Sequence, residues 1–180
     1  MQNMVRSGKV LNERLKDDGS FPNNEKLALL VYRSALMLPR SNPAAMVENL
    51  FASNGWSGSW RNGIYGFHHY HSTAHEVLGL YAGRVKVRFG GPDGKALSAS
   101  AGDVIIIPAG VSHKNLEQST DFRCVGAYPA GQSPNMLCGE SGDRPQADQN
   151  IRSVSLPEND PVFGKSGPLL EIWERALKMR

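Results

Sequence analysis

The five histidines of this 180-residue sequence are His68, His69, His71, His75 and His113, so four fall within eight residues and the fifth stands apart. Imidazole is the commonest metal-binding side chain, which makes metal chelation the first chemistry to weigh. A His-x-His pair alone is more often a surface or core accident than a ligand pair, so the case depends on what else converges. In an extended segment His69 and His71 project from one face, about 6.6 Å apart along the backbone, and two imidazoles so placed can meet one ion at about 2.1 Å each. His113 follows Pro108-Ala109-Gly110, a turn closing an apolar run, and can approach the same point from a neighbouring strand.

A fourth ligand demands a choice. Strict alternation puts His75 on the face of His69 and His71 and Glu76 on the other. A bulge or turn within Ser72-Thr73-Ala74 would reverse this, and beyond it Glu76, Leu78 and Leu80 share one apolar face that should point inward. The inward leucines favour Glu76, leaving His75 turned away or at the mouth of the site, where it is a candidate for pocket lining. Tyr65 and Phe67, on the strand face of His69, are candidates to line a substrate pocket, and core filling explains them equally well. His68 is expected to be outward and without a role. His75-Glu76-Val77-Leu78-Gly79 starts like the zinc-protease HExxH motif but has glycine where the second histidine must be, and Gly164-Lys165-Ser166 lacks the leading glycine of a P-loop, since Asn159 stands there.

The elements that must position these residues are mostly strands. From Gly58 to about Tyr128, short β-rich runs are separated by glycine, proline and aspartate, as in an all-β barrel or sandwich. Residues 84–89 alternate strictly, with Val85, Val87 and Phe89 inward and Arg84, Lys86 and Arg88 toward water. The run 103–108 is continuously apolar after its aspartate, as a strand buried on both faces should be, and 122–128 supplies another. Before this core, residues 1–24 read as an arm with an extended piece near Val10 to Leu15. Residues 27–38 lean toward a buried strand over a helix, and Pro43 opens a helix over about 43–53. Residues 129–150 read as a long loop, and 168–177 as a short amphipathic closing helix. One domain is expected over 1–180, with 1–57 as arm, strand and helix, 58–128 as the core bearing the histidines, and 129–180 as loop and closing segment.

Composition narrows the function classes. Twenty basic and 17 acidic residues give a net charge of +3, scattered without a patch that would steer nucleic acid or anionic lipid. No apolar run approaches the roughly 20 residues needed to span a bilayer, and the start lacks the apolar stretch of a secretory signal, so the cytoplasm is the expected location. Cys124 and Cys138 have no CxxC spacing and are expected as free thiols.

The spacing resembles the cupin superfamily. Its first motif is met by Gly63, His69, His71, Glu76 and Gly83, and its second by Gly102, Pro108, Gly110 and His113. The closing position departs, with Glu117 in place of asparagine and an early Asn115, which bears on local turn geometry. Flanking segments KDDGSFPNN and LPENDPVFGKSGPLLEIW look like the YjlB-like branch of small bacterial cupins. The resemblance implies an all-β, double-stranded β-helix or jelly roll with a few short peripheral helices, and one divalent ion held by His69, His71, Glu76 and His113. A mixed nitrogen and oxygen shell suits Fe, Mn, Ni, Co or Zn, without choosing among them. If the ion is octahedral, two positions stay open for water, O₂ or a chelating substrate. The implied function is that of a metal-dependent dioxygenase or oxidoreductase acting on a small molecule such as a diketone, thiol or phenol. Alternatives are an isomerase or lyase, or a non-enzymatic metal- or ligand-binding module. The partner is then a small molecule, with neither nucleic acid nor membrane, and a homodimer is an assembly the family allows.

Overall fold

The structure, a computed structural model, describes residues 4–178. Among the described residues, nine strands and three helices follow in the order β1 (Val10–Leu15), β2 (Asn24–Tyr32), α1 (Pro43–Ser53), β3 (Trp56–Asn62), β4 (Glu76–Ala82), β5 (Arg84–Phe89), β6 (Lys95–Ser100), β7 (Val104–Ile107), β8 (His113–Gln118), β9 (Arg123–Pro129), α2 (Gln146–Ser153) and α3 (Pro168–Lys178). They form a six-stranded antiparallel sheet, ordered β1-β2-β7-β4-β9-β3, and a three-stranded one, ordered β6-β5-β8. This is the jelly roll of a double-stranded β-helix, with short helices outside it.

The central strands of the larger sheet, β2, β7, β4 and β9, are buried on both faces, and parity along them shows how. Ile105 and Ile107 of β7, Leu29 and Val31 of β2, and Leu78 and Leu80 of β4 face inward. There they pack against Val85, Val87 and Phe89 of the smaller sheet. The alternate residues, Val104, Ile106, Leu30, Tyr32 and Val77, face outward and are covered by Val47, Leu50 and Phe51 of α1 and by Leu169 and Trp173 of α3. Two buried faces explain why 27–38 and 103–108 read as unbroken apolar runs rather than alternations. The strand expected over 27–38 ends earlier, at Tyr32. There Asp103 captures the Ser34 N–H at 2.7 Å and the Arg33 guanidinium at 2.8 Å, turning the chain.

Other expectations meet mixed outcomes. Helix α1 spans Pro43–Ser53 with proline in its first turn, and Asn42 at its N-cap makes no side-chain cap bond. The loop expected over 129–150 ends in helix α2, whose sequence QADQNIRS buries only Ala147 and so offers no apolar period to read. The arm is ordered by β1 pairing with β2, and its Pro-Asn-Asn break becomes a latch. Asn23 donates to the Gly90 carbonyl at 3.2 Å and accepts from Ser112 N–H at 3.1 Å, while Asn24 donates to the Ala109 carbonyl at 3.0 Å. Both asparagines therefore brace the turn that leads into His113. At the point where the family's asparagine is replaced, β8 is irregular: Lys86 pairs Glu117 and Val87 pairs Asn115, so Leu116 bulges out. Cys124 is a buried free thiol and Cys138 an exposed one.

Candidate metal centre

His69 lies outside any continuous strand, in a short segment that exchanges both backbone hydrogen bonds with His113 at 3.2 and 2.9 Å. That exchange sets the two imidazole centroids 4.1 Å apart. His71 follows two residues on, its ring centroid 5.7 Å from each of the others. The Gly110 N–H donates to the His71 carbonyl at 2.8 Å, so the turn preceding His113 also fixes His71. Gly110 has φ 93°, and a Cβ there would lie 2.3 Å from the Asn23 carbonyl oxygen, so this turn needs glycine. All three histidines are buried, with ligand nitrogens within 4.8 Å of one another.

The chain bends at Ser72 and Thr73 before β4 begins at Glu76. This break shifts the parity as the leucine pattern requires: Glu76 shares the inward face of Leu78 and Leu80. Its Oε2 lies 3.4 Å from His71 Nε2 and 3.2 Å from His113 Nε2, so it adjoins two of the three imidazoles. His75 points the other way, against Trp173 of α3 at a centroid distance of 4.8 Å, and its Nδ1 accepts the Ala109 N–H at 2.9 Å.

Tautomers follow from the backbone. Nδ1 of His69 meets the Phe67 carbonyl at 3.1 Å, Nδ1 of His113 meets the Val111 carbonyl at 3.1 Å, and Nδ1 of His71 meets the Asn135 carbonyl. A carbonyl only accepts, so each Nδ1 carries the proton and each neutral ring keeps an Nε2 lone pair. Two of those lone pairs face a Glu76 oxygen that has no hydrogen-bond partner of its own. Electron-rich atoms converging in a buried space need a cation, supplied by a proton or by a metal. Without metal, protonation of His71 is favoured: burial opposes its charge, but the Glu76 carboxylate outweighs burial and raises its pKa. Burial likewise works to raise Glu76, and His113 and His71 outweigh it, leaving the carboxyl well below its usual range. Burial and the neighbouring His113 depress His69 to about 3, which keeps that ring neutral at physiological pH. The three imidazoles fit a divalent transition metal in type and orientation, and the Glu76 carboxylate, which adjoins two of them, adds an opposing charge.

A cavity of about 290 Å³ opens beside these four residues, walled by Trp60, Ile64, Leu78 and Tyr128 and rimmed by Tyr65 and Met136. Arg61 reaches its edge but is held by both oxygens of Glu48 at 2.7 Å. Of the three side chains expected to line a pocket, Tyr65 does so. Phe67 does not: bends at residues 66 and 67 break the assumed alternation, and its ring stacks on the outside of Tyr65 at 5.0 Å. His75 does not either, because the bend at 72–73 sends it to the far side of the sheet. His68 is half-buried rather than outward, 5.6 Å from the Phe21 ring.

Sequence reasoning missed Trp60, Tyr128, Asn135 and Met136. Tyr128 was within reach of parity, since it shares the face of Cys124 on the strand read at 122–128. Asn135 gave no signal: it works through its carbonyl and through side-chain bonds to the Ser72 N–H at 2.7 Å and the Ser72 hydroxyl at 2.8 Å.

Protein YjlB of Bacillus subtilis (strain 168) is 42% identical over 157 residues, spanning 87% of this chain and 92% of that protein. No protein-family model matches the chain. Among solved structures, RmlC of Legionella pneumophila is 15% identical over 89% of each chain, with a TM-score of 0.41. Acireductone dioxygenase of Bacillus anthracis, described with a cadmium ion in its active centre, is 15% identical over 70% of this chain and 82% of its own, with a TM-score of 0.40. At such scores neither likeness bears on what this chain binds.

Proposed function

The chain belongs to the YjlB family of cupins, and from that premise we propose that it holds one divalent transition-metal ion through His69, His71, His113 and Glu76 and oxidises a small molecule in the adjoining cavity. The observation behind this reading is the set of three Nδ1–H···O=C bonds, which leaves three Nε2 lone pairs and one unpartnered carboxylate oxygen converging. A bound ion there would supply Lewis-acid chemistry and, when redox-active, activation of O₂.

The residues of the chain supply the rest. Trp60, Ile64 and Leu78 form apolar walls that exclude water from the metal side of the cavity, and the half-exposed Tyr65 and Met136 at the rim suit a small ligand with an apolar or aromatic body. One feature favours oxidation over an isomerase or lyase. Proton-shuttling reactions need a free base in the cavity, yet among the described lining residues every imidazole and the one carboxylate belongs to the converging set and the Tyr128 hydroxyl is engaged with Glu76 at 3.2 Å, which leaves only the Tyr65 phenol, a proton donor rather than a base unless it is ionised.

Anaerobic loading with Fe(II), followed by O₂-uptake measurements on a panel of diketones, thiols and catechols, tests the proposal. Uptake with at least one class, lost in His113→Ala, is expected. Stoichiometric metal without uptake on any class would refute oxidation.

A further inference from the structure

The metal reading leaves unexplained why Glu76 offers one oxygen to the imidazoles and not both. Its other oxygen, Oε1, is 3.2 Å from the Tyr128 hydroxyl, and that hydroxyl is 2.9 Å from Trp60 Nε1. The chain has a single direction. An indole N–H can only donate, so Tyr128 accepts from Trp60, and the hydroxyl's one proton is aimed at Glu76. The second link is longer than the usual O–H···O range, so it contributes direction more than strength. Oε2 is left facing His71 and His113.

Three strands build this chain in register. Trp60 of β3 stands opposite Gly126 of β9, and Tyr128 lies two residues further along β9. A Cβ at Gly126 would fall 2.1 Å from Trp60 Cζ2 and 2.6 Å from its Nε1, so only bare backbone lets the indole lie across β9 and reach Tyr128. Val77 of β4 pairs Ala127, which brings Glu76 level with Tyr128. The Tyr128 ring also meets the His71 ring edge-on at 6.0 Å.

We propose that Tyr128, oriented by Trp60, is a positioning residue of the metal centre: by holding Oε1 of Glu76 it makes the carboxylate a one-oxygen ligand. The proposal rests on the metal reading above, so its test must be able to fail separately. Tyr128→Phe keeps the ring and removes the donor, and Co(II) serves as probe because its affinity is measurable by calorimetry and its visible spectrum reports coordination. Tyr128→Phe is expected to weaken Co(II) binding about 10- to 100-fold, as loss of a ligand's hydrogen-bond partner does, and to change the spectrum. In a Glu76→Gln background the same substitution should alter affinity by no more than about twofold, because the effect runs through the carboxylate. Trp60→Phe, which unfixes the hydroxyl without removing it, should shift the spectrum in the same direction by less, and it stands in if Tyr128→Phe does not fold. Wild-type affinity and spectrum in Tyr128→Phe, or in Trp60→Phe in its place, would overturn the proposal. So would an undiminished loss in the Glu76→Gln background, which would mark a general packing effect. His69→Ala identifies the other failure: full Co(II) binding in that variant removes the metal reading itself and this proposal with it.

Discussion

His75 and Glu76 are adjacent in sequence and face opposite sides of the sheet, and His75→Asn separates them. The His75 ring is 1% exposed, packed against Trp173, and accepts the Ala109 N–H at Nδ1. Burial penalises a charge on this ring more than the Ser155 backbone favours it, so the pKa falls from 6.5 to about 4, and a proton added at Nδ1 would also confront the Ala109 N–H. The sign follows from linkage. Between those two values the unfolded chain binds a proton that the folded chain refuses, so folding free energy is fully present above pH 6.5 and declines as pH falls toward 4. At about 1.36 kcal/mol per tenfold change in proton affinity the decline totals about 3 kcal/mol, most of it by pH 4.5. Asparagine places an oxygen near the Nδ1 position and does not titrate. His75→Asn should therefore be less stable than the parent at pH 7, through lost packing on Trp173, and the gap should narrow by about 2 kcal/mol between pH 7 and pH 4.5. Urea unfolding of metal-free protein at pH 7.0, 5.5 and 4.5 measures this, and the difference between the two proteins cancels the other titrating groups. Metal content, by elemental analysis, should stay at the parental level. A gap that does not change with pH would refute the buried neutral imidazole, and loss of metal from His75→Asn with retention in Glu76→Ala would reverse the assignment of the two residues.

His69→Ala and His113→Ala should each lose bound metal while staying folded, since the core between the sheets does not depend on the ion; elemental analysis with far-UV circular dichroism checks both. Asp160 is fully buried and accepts from the Tyr32 hydroxyl at 2.6 Å and from the Val162, Phe163 and Leu169 N–H groups. Asp160→Ala strands those donors and should cost at least about 3 kcal/mol in urea unfolding.

The legible parts of the fold were those whose signal is local. Pro43 and the spacing of Leu50 and Phe51 sufficed for α1, and the alternation of Val85, Val87 and Phe89 for β5. Residues 27–38 stayed ambiguous because Leu29 and Val31 face one core while Leu30 and Tyr32 face the other, which leaves no period to detect. The polar helix α2 was invisible for the opposite reason: its ends are tied by hydrogen bonds such as Ala147 N–H to Asp143, and it buries almost nothing apolar. Phe67 was misplaced because alternation was carried through bends the sequence does not mark.

The same division runs through the candidate metal centre. His69 and His113 each find the carbonyl that orients them two residues back, at Phe67 and Val111, so their placement needs little beyond their own segments. His71 takes its carbonyl from Asn135, 64 residues away. That carbonyl is present whatever residue stands there, so no side-chain pattern could announce it. What fixes it is the Asn135 side chain on Ser72 and the Thr73 hydroxyl, which accepts the Asn135 N–H at 2.9 Å and donates to the Ser133 carbonyl at 2.7 Å. The residues that bend the chain to admit Glu76 thus also anchor the loop that orients His71. A bend that reads in sequence as an interruption between His71 and Glu76 is the structural joint that sets both, and the loop after β9 belongs to the candidate centre as fully as the strands do.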